Sequence, residues 1–294
     1  MGTLDFGLRY HRPVIVDFHT HIFPPSVIEQ RERHLHTDPT FRLLYADPKA
    51  KLATADDLLR SMDAAGVDVS VALGFQWSDE ALCRLHNDYL LEAAERSAGR
   101  IVPFCILPLA GNPASVDVTI ETCIKAGARG FGELRPENTG FALDGEAGSD
   151  LADLAVRTQA ALLFHVTEPV GHAYAGKEGL DVGAFARFAT AHPEVTAVGA
   201  HWAGGLPFYA AMPEVRRLFE GNLYVDTAAT SLLYDDAIYE RVAALIGPER
   251  ILFGSDFPLL GQKRSRLRIE ASGLHNEAKA LILGDNAMRL LKLS

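Results

Sequence analysis

Eight short runs of apolar, often β-branched residues alternate with helical patterns along this 294-residue chain. Each run is apolar on both faces, which is typical of parallel strands covered by helices. The predicted strands are Pro13–Phe18, Val67–Leu73, Ile101–Leu107, Ala128–Leu134, Ala161–Val166, Val195–Ala200, Leu223–Asp226 and Ile251–Phe253. Eight strands in alternation with helices predict an α/β fold, the (β/α)8 TIM barrel. The alternative is an open doubly wound sheet, and the lack of a glycine-rich phosphate motif after any strand weighs against its dinucleotide-binding form.

Amphipathic segments between the strands supply the helices of this fold. One is predicted to begin at Thr54, which offers a helix cap followed by two acidic residues, and to end at Gly66. Two stretches depart from the alternation: a polar one, Phe23–Leu52, whose own histidines are expected to be solvated, and a glycine-rich one, Thr167–Gly179. Long loops after barrel strands shape the substrate pocket. Without a repeat or a linker, residues 1–294 are interpreted as a single domain.

The charge and composition of the chain limit the kinds of partner and the cellular compartment that we expect. A net charge of −10 and a pI near 5.5 predict no nucleic-acid surface, because phosphate binding needs clustered Lys and Arg. No apolar run reaches the roughly 18 residues that a membrane helix requires, so no membrane contact is expected. The three cysteines are widely spaced among apolar residues, which favours buried thiols in a reducing compartment. Since no secretory signal is visible, we expect a cytoplasmic protein.

Four predicted strands stop on a side chain that can bind a metal. His19 and His21 end the first strand, and the single residue between them places both on the same face. His165 and His201 close two later strands, and Asp256 follows the last one. Because the carboxyl ends of all barrel strands meet at one mouth, these side chains are expected to converge there. A bound cation satisfies imidazoles and a carboxylate together, so the pattern predicts a metal site.

Three longer motifs carry a resemblance to a known family. They are Val-Asp-Phe-His-Thr-His-Ile-Phe-Pro at 16–24, Gly-Ser-Asp-Phe-Pro at 254–258 and Leu-Gly-Asp-Asn-Ala-Met-Arg-Leu-Leu at 283–291. In this order they resemble the amidohydrolase superfamily, and more closely its amidohydrolase-related (amidohydrolase 2) branch of small barrels. The chain is similar there to aminocarboxymuconate-semialdehyde decarboxylase-like and TatD-like barrels. The resemblance covers nearly the whole length of the chain.

The resemblance implies one divalent cation, with Zn²⁺ favoured over Mn²⁺ or another transition metal, and four protein ligands: His19, His21, His165 and Asp256. It implies that the cation lowers the pKa of a bound water from about 15.7 to near 7. Asp256 is expected to be both a ligand and the general base that takes the proton of this water and passes it to the leaving group. His201 is expected to hydrogen-bond the water or to polarise a substrate oxygen.

The expected number of cations depends on Glu133, near the end of the fourth strand. Glu133 and Arg135 fall on one face of it by alternation. Some relatives, including the TatD-like nucleases, carry a metal-binding Glu at this point. Glu133 therefore either bridges two cations roughly 3.5–4 Å apart, with His165 and His201 on the second, or pairs with a neighbouring Arg or a metal ligand. We favour one cation.

Arg135 and Trp202 are the predicted substrate-binding residues. A guanidinium at the barrel mouth grips a carboxylate through two parallel hydrogen bonds. Carboxylated substrates are frequent in the branch that the chain resembles. Trp202, which follows His201, offers an apolar or stacking wall for a small molecule.

These residues predict a metal-dependent hydrolase that cleaves a small amide, ester or lactone. The alternative is a metal-dependent decarboxylase, a C–C lyase, of a small carboxylated aromatic or muconate-like substrate, because the same branch is similar to such enzymes. Two weaker alternatives are a TatD-like phosphodiesterase, which the acidic balance disfavours, and a metal-binding protein without catalysis. The expected partner is a small molecule, and a homo-oligomer stays open.

Overall fold

Eight parallel strands lie side by side in chain order in the computed structural model, which describes residues 13–293. They are β1 Val16–His21, β2 Val69–Leu73, β3 Ile101–Cys105, β4 Gly130–Leu134, β5 Ala161–Phe164, β6 Ala197–Gly199, β7 Leu223–Asp226 and β8 Ile251–Leu252. The amides of Phe18 and His21 donate to the carbonyls of Phe253 and Phe257, which joins β1 to the segment after β8. The predicted TIM barrel is therefore confirmed, because strand order reverses within a doubly wound sheet.

Helices surround these strands. They are α1 Pro25–Glu29, α2 Arg31–Thr37, α3 Pro39–Tyr45, α4 Ala55–Ala65, α5 Glu80–Arg96, α6 Pro113–Lys125, α7 Glu146–Thr158, α8 Val182–Ala191, α9 Ala200–Ala203, α10 Pro213–Glu220, α11 Thr230–Leu233, α12 Ile238–Ile246, α13 Gln262–Ala271, α14 Asn276–Ala280 and α15 Asn286–Leu291. A small parallel sheet, Val166–Thr167 with Leu180–Asp181, closes the ends of the glycine-rich loop after β5. Within residues 13–293, none of the helices has the length and apolar character needed to cross a bilayer.

The predicted bounds of α4 are confirmed. The Thr54 hydroxyl accepts a hydrogen bond from the Asp57 amide, and the Asp57 carboxylate accepts one from the Thr54 amide. This reciprocal pair satisfies two amides that a helix start otherwise leaves open. Gly66 ends the helix in a left-handed conformation, with φ at 65°.

A β-bulge in β1 decides where its histidines point. Between Asp17 and Thr20, the two residues Phe18 and His19 lie opposite a single residue of β2. Phe18 packs in the interior of the barrel, so strict alternation would direct His19 and His21 outward, toward the helices. The extra residue shifts the alternation and turns both histidines toward the mouth of the barrel.

A second bulge, in β4, has the same consequence for Glu133. Phe131 and Leu134 both pack in the layer between the strands and the helices. The two residues between them, Gly132 and Glu133, lie opposite a single residue of β5. Because the bulge again changes the alternation, the Glu133 side chain faces the inside of the barrel.

The closing motif of the sequence seals the amino end of the barrel. Ala287 and Leu291 of α15 pack against the strand side chains of the interior. Asn286 is fully buried, and its amide nitrogen donates to the carbonyls of Pro248 and Ile251, each at 2.8 Å. The Asn-Ala pair therefore has a packing role, far from the carboxyl ends of the strands.

The polar stretch after β1 differs from the solvated loop that its composition predicts. It folds into the three short helices α1–α3, whose aromatic side chains pack against residues that follow β2. His34 of α2 is only 5% exposed, and its ring lies 5.3 Å from that of Trp77. Asp38 joins this segment to the residues that follow β2, because its carboxylate accepts hydrogen bonds from the amide and the hydroxyl of Ser78. Burial of its few aromatic side chains therefore decides how this stretch folds, although most of its residues are polar.

His86 of α5 is a buried histidine with both ring nitrogens satisfied. Its Nδ1 accepts a hydrogen bond from the Trp77 indole at 3.0 Å, and its Nε2 donates to the Ile22 carbonyl at 2.7 Å. Burial lowers the pKa of His86 from 6.5 to about 4. The unfolded chain therefore binds a proton between these pH values that the folded protein does not, so the contribution to stability is full above pH 6.5 and is lost as the pH falls toward 4.

Replacing His86 by asparagine is expected to remove this pH dependence. The Asn oxygen still accepts from Trp77 but the side chain is too short to reach Ile22, so stability at pH 7.5 falls by about 1–3 kcal/mol. Between pH 6.5 and 4 the native protein should lose on the order of 3 kcal/mol relative to the variant. Urea unfolding across this range measures both, with the exposed His36→Asn as control. Parallel pH profiles for the native protein and His86→Asn would contradict the assignment.

Candidate metal centre and active site

The predicted site residues converge at the carboxyl ends of the strands, around a cavity of about 390 Å³. Most of them line its wall: His21, Glu133, Arg135, His165, His201 and Asp256. His19 lies at 3.0 Å from His21, nitrogen to nitrogen, and is fully buried. The expected convergence at the barrel mouth is therefore observed.

His19 is held between Asp226 and His21. Its Nδ1 donates to Asp226 Oδ2 at 2.8 Å, and its Nε2 faces His21 Nε2. Burial alone lowers the pKa of His19, but the charge and hydrogen bond of Asp226 outweigh it and raise the pKa to about 10. Burial and the His19 charge lower the pKa of His21 to about 4. The facing nitrogens thus share one proton, which a cation must displace in order to bind there.

Two groups of potential metal ligands meet at His19. One is His19 with His21 and Asp256, and the other is His19 with Glu133 and His201; within each group the ligand atoms lie within 4.8 Å of one another. Asp256 Oδ1 is 3.8 Å from His19 Nε2, and Glu133 Oε1 is 4.0 Å from the same nitrogen. Because Nδ1 of His19 is engaged by Asp226 and Nε2 has a single lone pair, both groups depend on one donor atom.

Glu133 links the histidines of three strands. Its Oε1 lies 2.8 Å from His165 Nδ1 and 3.1 Å from His201 Nε2. Burial raises the pKa of Glu133, but His165, His201 and His19 outweigh burial and hold it well below its ordinary value. Burial also lowers the pKa of His201, and there the hydrogen bond and charge of Glu133 prevail and raise it. Glu133 is therefore a carboxylate, the form that binds cations.

His165 lies outside both ligand groups among the described residues. Its Nε2 is 2.9 Å from the carbonyl oxygen of Gly176, and Arg135 Nη2 is 2.9 Å from the same nitrogen. Burial and the Arg135 charge lower the pKa of His165 to about 4, which keeps the ring neutral. Gly179 packs so closely that an added Cβ would lie 2.6 Å from the ring. The role of His165 as a ligand stays a prediction.

Two of the site residues have left-handed backbones. His201 has φ at 56° and ψ at 47°, and Asp256 has φ at 67°. Such conformations cost roughly 1–3 kcal/mol each and persist where surrounding contacts enforce them. The His201 amide donates to Asp226 Oδ1, and the Asp256 amide donates to the His19 carbonyl, each at 2.9 Å. Strain held in this way at convergent polar groups indicates a functional site.

Arg135 lies in the cavity wall and has one donor without a partner among the described residues. The side chain is 5% exposed, and its Nη2 is occupied by His165. Its Nη1 is buried without a hydrogen-bond partner within residues 13–293. An unpaired buried donor of this kind costs about 1–3 kcal/mol or more, which a bound acceptor would recover.

Trp202 does not take the position that was predicted for it. The side chain is fully buried, and its indole nitrogen donates to the Thr230 hydroxyl at 2.9 Å. Its ring packs at 5.5 Å from that of Tyr239. The left-handed backbone at 201–203 turns it away from the cavity, whose described wall does not include it. A fully buried indole presents no face to a ligand in this cavity.

The rest of the cavity wall is largely apolar and comes from loops. It includes aromatic and aliphatic side chains of the segments after β1, β2, β5, β7 and β8: Leu44, Tyr45, Phe75, Tyr174, Leu232, Leu233, Pro258 and Leu259. Burial raises the pKa of Tyr45, so its hydroxyl stays protonated and can donate. Apolar walls with a few convergent polar groups are typical of small-molecule sites.

Sequence analysis missed Asp226 and Tyr45. Asp226 ends a correctly predicted strand, and a carboxylate at a strand end is the same signal that identified Asp256. Tyr45 lies in the stretch that was interpreted as a loop, and its sequence neighbours carry no signal of a site.

The donors fit a divalent cation such as Zn²⁺ or Mn²⁺. Two carboxylates and three imidazoles form two groups of ligand atoms that share His19: His19, His21 and Asp256 in one, and His19, Glu133 and His201 in the other. The facing ring nitrogens of His19 and His21 are 3.0 Å apart, and both can bind a cation that displaces the proton between them. Imidazole and carboxylate are the donor types that both cations accept in proteins.

Known proteins share this architecture. A family model described as Amidohydrolase matches residues 16–293, whereas no curated protein matches the sequence. The 2,6-dihydroxybenzoate decarboxylase from Rhizobium is 17% identical at a TM-score of 0.75, with 96% of this chain and 99% of that chain covered. The 5-carboxyvanillate decarboxylase from Novosphingobium aromaticivorans, complexed with manganese and 4-hydroxy-3-methoxy-5-nitrobenzoic acid, is 15% identical at a TM-score of 0.80, with 95% and 96% covered.

These likenesses show a shared fold at low sequence identity. The family model spans nearly all of the described residues. Its match includes the elements that carry the ligand groups, which are β1, β4, β6 and the segment after β8. The motifs at 16–24 and 254–258 lie within the match, and so does the packing motif at 283–291. The chain therefore belongs to the amidohydrolase family, within the superfamily of metal-dependent enzymes that use this barrel.

Proposed function

We propose that this protein is a metal-dependent decarboxylase of a small aromatic acid. The observation that carries the proposal is the Arg135 guanidinium, buried with an unpartnered Nη1 in the wall of a cavity whose loop residues are largely apolar. A cavity of about 390 Å³ suits a single substituted ring. A guanidinium binds a carboxylate through directed hydrogen bonds, and aromatic and aliphatic walls accept the ring.

One divalent cation, Mn²⁺ or Zn²⁺, would be held by His19, His21 and Asp256 together with Glu133 of the second group, in which His201 keeps its Nε2 hydrogen-bonded to Glu133. When bound, it supplies positive charge that stabilises charge developing on substrate oxygens. We favour a single cation because both ligand groups depend on one lone pair of His19. His165 is proposed as a further ligand that would have to leave Gly176 and Arg135.

The side chains divide the chemical work. Arg135 Nη1 orients the substrate carboxylate, and the apolar wall excludes water from the ring. As CO₂ leaves, the C–C bond breaks and its electron pair stays on the ring carbon. Asp256 first takes up a proton from solvent and then delivers it to that carbon in place of CO₂, acting as the general acid. His201 Nε2, whose pKa Glu133 raises, holds a second proton beside the reacting group.

The similar solved structures support this choice of reaction. They include decarboxylases of 2,6-dihydroxybenzoate and 5-carboxyvanillate, and one decarboxylase of dihydroxybenzoic acid with bound manganese and the inhibitor 2-nitroresorcinol. These three are named for ring-bearing carboxylic acids. The free guanidinium and apolar walls of this chain suit such acids.

A CO₂-release assay tests the proposal. Purified protein with added Mn²⁺ or Zn²⁺ is incubated with a panel of hydroxybenzoic acids and carboxyvanillate, and with amides, esters and lactones of similar size. We expect CO₂ from at least one aromatic acid. Cleavage of a lactone, ester or amide with no CO₂ from any acid would overturn it.

Hydrolysis of a small amide, ester or lactone is the second candidate. The observation that favours it is the buried Nδ1 of His201, which has no hydrogen-bond partner among the described residues. A reacting water or a carbonyl oxygen would supply that partner. Asp256 would then act as the general base, taking a proton from water and passing it to the leaving group.

Replacing Arg135 by methionine is expected to raise KM for the acid substrate by roughly 10- to 100-fold, because one charge-assisted hydrogen bond contributes about 1.5–3 kcal/mol. Arg135→Lys keeps the charge without the planar fork and should recover part of the loss. Steady-state kinetics measure the change, and inhibition by the decarboxylated product is the control. If product inhibition weakened as much as substrate binding, Arg135 would not recognise the carboxylate.

A further inference from the structure

We infer that Asp226 is a positioning residue that makes His19 present an unprotonated Nε2 to the metal. Asp226 ends β7 and lies outside the three sequence motifs that carry the family resemblance. The inference rests on the proposed metal site but not on which reaction the site catalyses. It follows from the hydrogen bonds of one fully buried carboxylate.

Both oxygens of Asp226 are engaged by different groups. Oδ1 accepts hydrogen bonds from the amides of His201 at 2.9 Å and Ala228 at 3.0 Å. Oδ2 lies 2.8 Å from His19 Nδ1. The two amides, one after β6 and one two residues after Asp226 itself, hold Oδ1 in place and leave Oδ2 to the imidazole. A carboxylate held in this way cannot rotate to exchange its two oxygens without breaking three hydrogen bonds.

This fixed orientation selects one form of the His19 ring. A carboxylate oxygen only accepts, so the proton must be on Nδ1 of His19. When a cation displaces the proton that Nε2 shares with His21, the lone pair of Nε2 binds the cation, as in the carboxylate–histidine–metal arrangement of other metal sites. Nε2 is also the nitrogen that faces His21, at 3.0 Å. One side chain thereby determines which nitrogen of His19 enters both ligand groups.

Asp226 holds a second member of the site as well. The amide of His201 that bonds Oδ1 belongs to a left-handed residue, which needs external contacts to keep that backbone. Asp226 therefore sets the ring of His19 and the backbone of His201 together. Strand β7 therefore contributes to the metal centre through Asp226, although Asp226 itself is not a proposed ligand of the cation.

Asp226→Asn tests the inference with an almost unchanged shape. The two amides keep the Asn oxygen at the place of Oδ1, since they require an acceptor. The Asn amino group then takes the place of Oδ2 and donates to His19 Nδ1, which moves the ring proton to Nε2 and blocks the metal-binding nitrogen. We expect metal affinity to fall by about 10- to 100-fold, as for other residues that orient a ligand from behind. The measurement is competition with a chromophoric chelator for Zn²⁺ and for Mn²⁺, starting from metal-free protein.

Asp17→Asn is the matched control. Asp17 is also a fully buried carboxylate near the mouth, and it accepts hydrogen bonds from the amides of His19 and Ser255 and from the Gln262 side chain. It bonds no imidazole ring. Gln262 Oε1 has no partner among the described residues, so a flip of that amide accommodates the new donor. We expect this variant to bind both metals within a few-fold of the native protein.

The outcomes separate this inference from the proposed metal site. Native protein that binds neither cation overturns both. Native protein that binds, with Asp226→Asn binding equally well, overturns the inference alone. A second measurement does not depend on any variant: long-range ¹H–¹⁵N correlation spectra of the zinc-loaded native protein should show the His19 proton on Nδ1. A proton on Nε2 would overturn the inference even if Asp226→Asn failed to fold.

Discussion

Replacing Asp256 by asparagine is expected to lower kcat/KM by roughly 10²–10⁴-fold, the usual contribution of a positioned general acid or base. Asparagine has the shape of the carboxylate but cannot carry the proton that either proposed reaction needs. The variant should fold normally, because Asp256 has φ at 67° and Asn adopts left-handed backbone more readily than most residues. Steady-state kinetics with the substrate identified in the CO₂ assay give the value.

The control for this variant is Asp181→Asn. Asp181 is exposed and caps α8 through the Ala184 amide, a role that Asn also fills. It should leave kcat/KM unchanged, and thermal unfolding should give similar midpoints for the native protein and both variants. Turnover by Asp256→Asn within a few-fold of the native rate would remove Asp256 from the chemistry.

Removing the metal with a chelator is expected to abolish turnover, and adding Mn²⁺ or Zn²⁺ should restore it. The bound cation should also stabilise the fold, because it would bind Glu133 and Asp256, two buried carboxylates that belong to the two ligand groups. At free metal about a thousandfold above Kd, the gain in the free energy of unfolding is about 4 kcal/mol. Activity assays and thermal unfolding with and without metal measure the two effects.

Magnesium is the control for this experiment, since it prefers all-oxygen sites and should neither restore activity nor stabilise the protein as Zn²⁺ does. Full activity in protein shown to be free of transition metals would contradict the metal-dependent account. So would metal binding that leaves the unfolding midpoint where it was.

The barrel could be predicted from the sequence because eight apolar runs alternate with helical patterns, and strand order then follows from the fold. The predicted runs overlap all eight strands of the barrel, from β1 at Val16–His21 to β8 at Ile251–Leu252. Convergence of His19, His21 and Asp256 followed from the same rule, since carboxyl ends of barrel strands meet at one mouth.

The reason that His19 and Glu133 face inward could not be predicted. Simple alternation puts His19 on the face opposite Phe18, which fills the interior, and the observed orientation depends on a bulge in β1. A second bulge does the same for Glu133. A bulge depends on pairing with the neighbouring strand, which a pattern within one strand does not contain.

The errors and omissions have similar physical causes. Trp202 was assigned to the pocket from its position beside His201, but a left-handed backbone turns it into the core. His34 was expected in solvent because its neighbours are charged, yet it packs on Trp77, a long-range contact. Asp226 stands at a strand end as His165 and His201 do, but it was missed because its hydrogen bond to His19 crosses 207 positions of sequence, which no local pattern reveals.

Elemental analysis of the purified protein tests the central claim most directly. We expect about one equivalent of zinc or manganese per chain, and a large loss of it in His21→Ala, whose ring is one of the gathered ligands. Two equivalents would mean that Glu133 bridges a pair of cations, and a metal content that His21→Ala leaves unchanged would mean that the cation lies elsewhere. Either of these results would contradict a single cation at the mouth of this barrel.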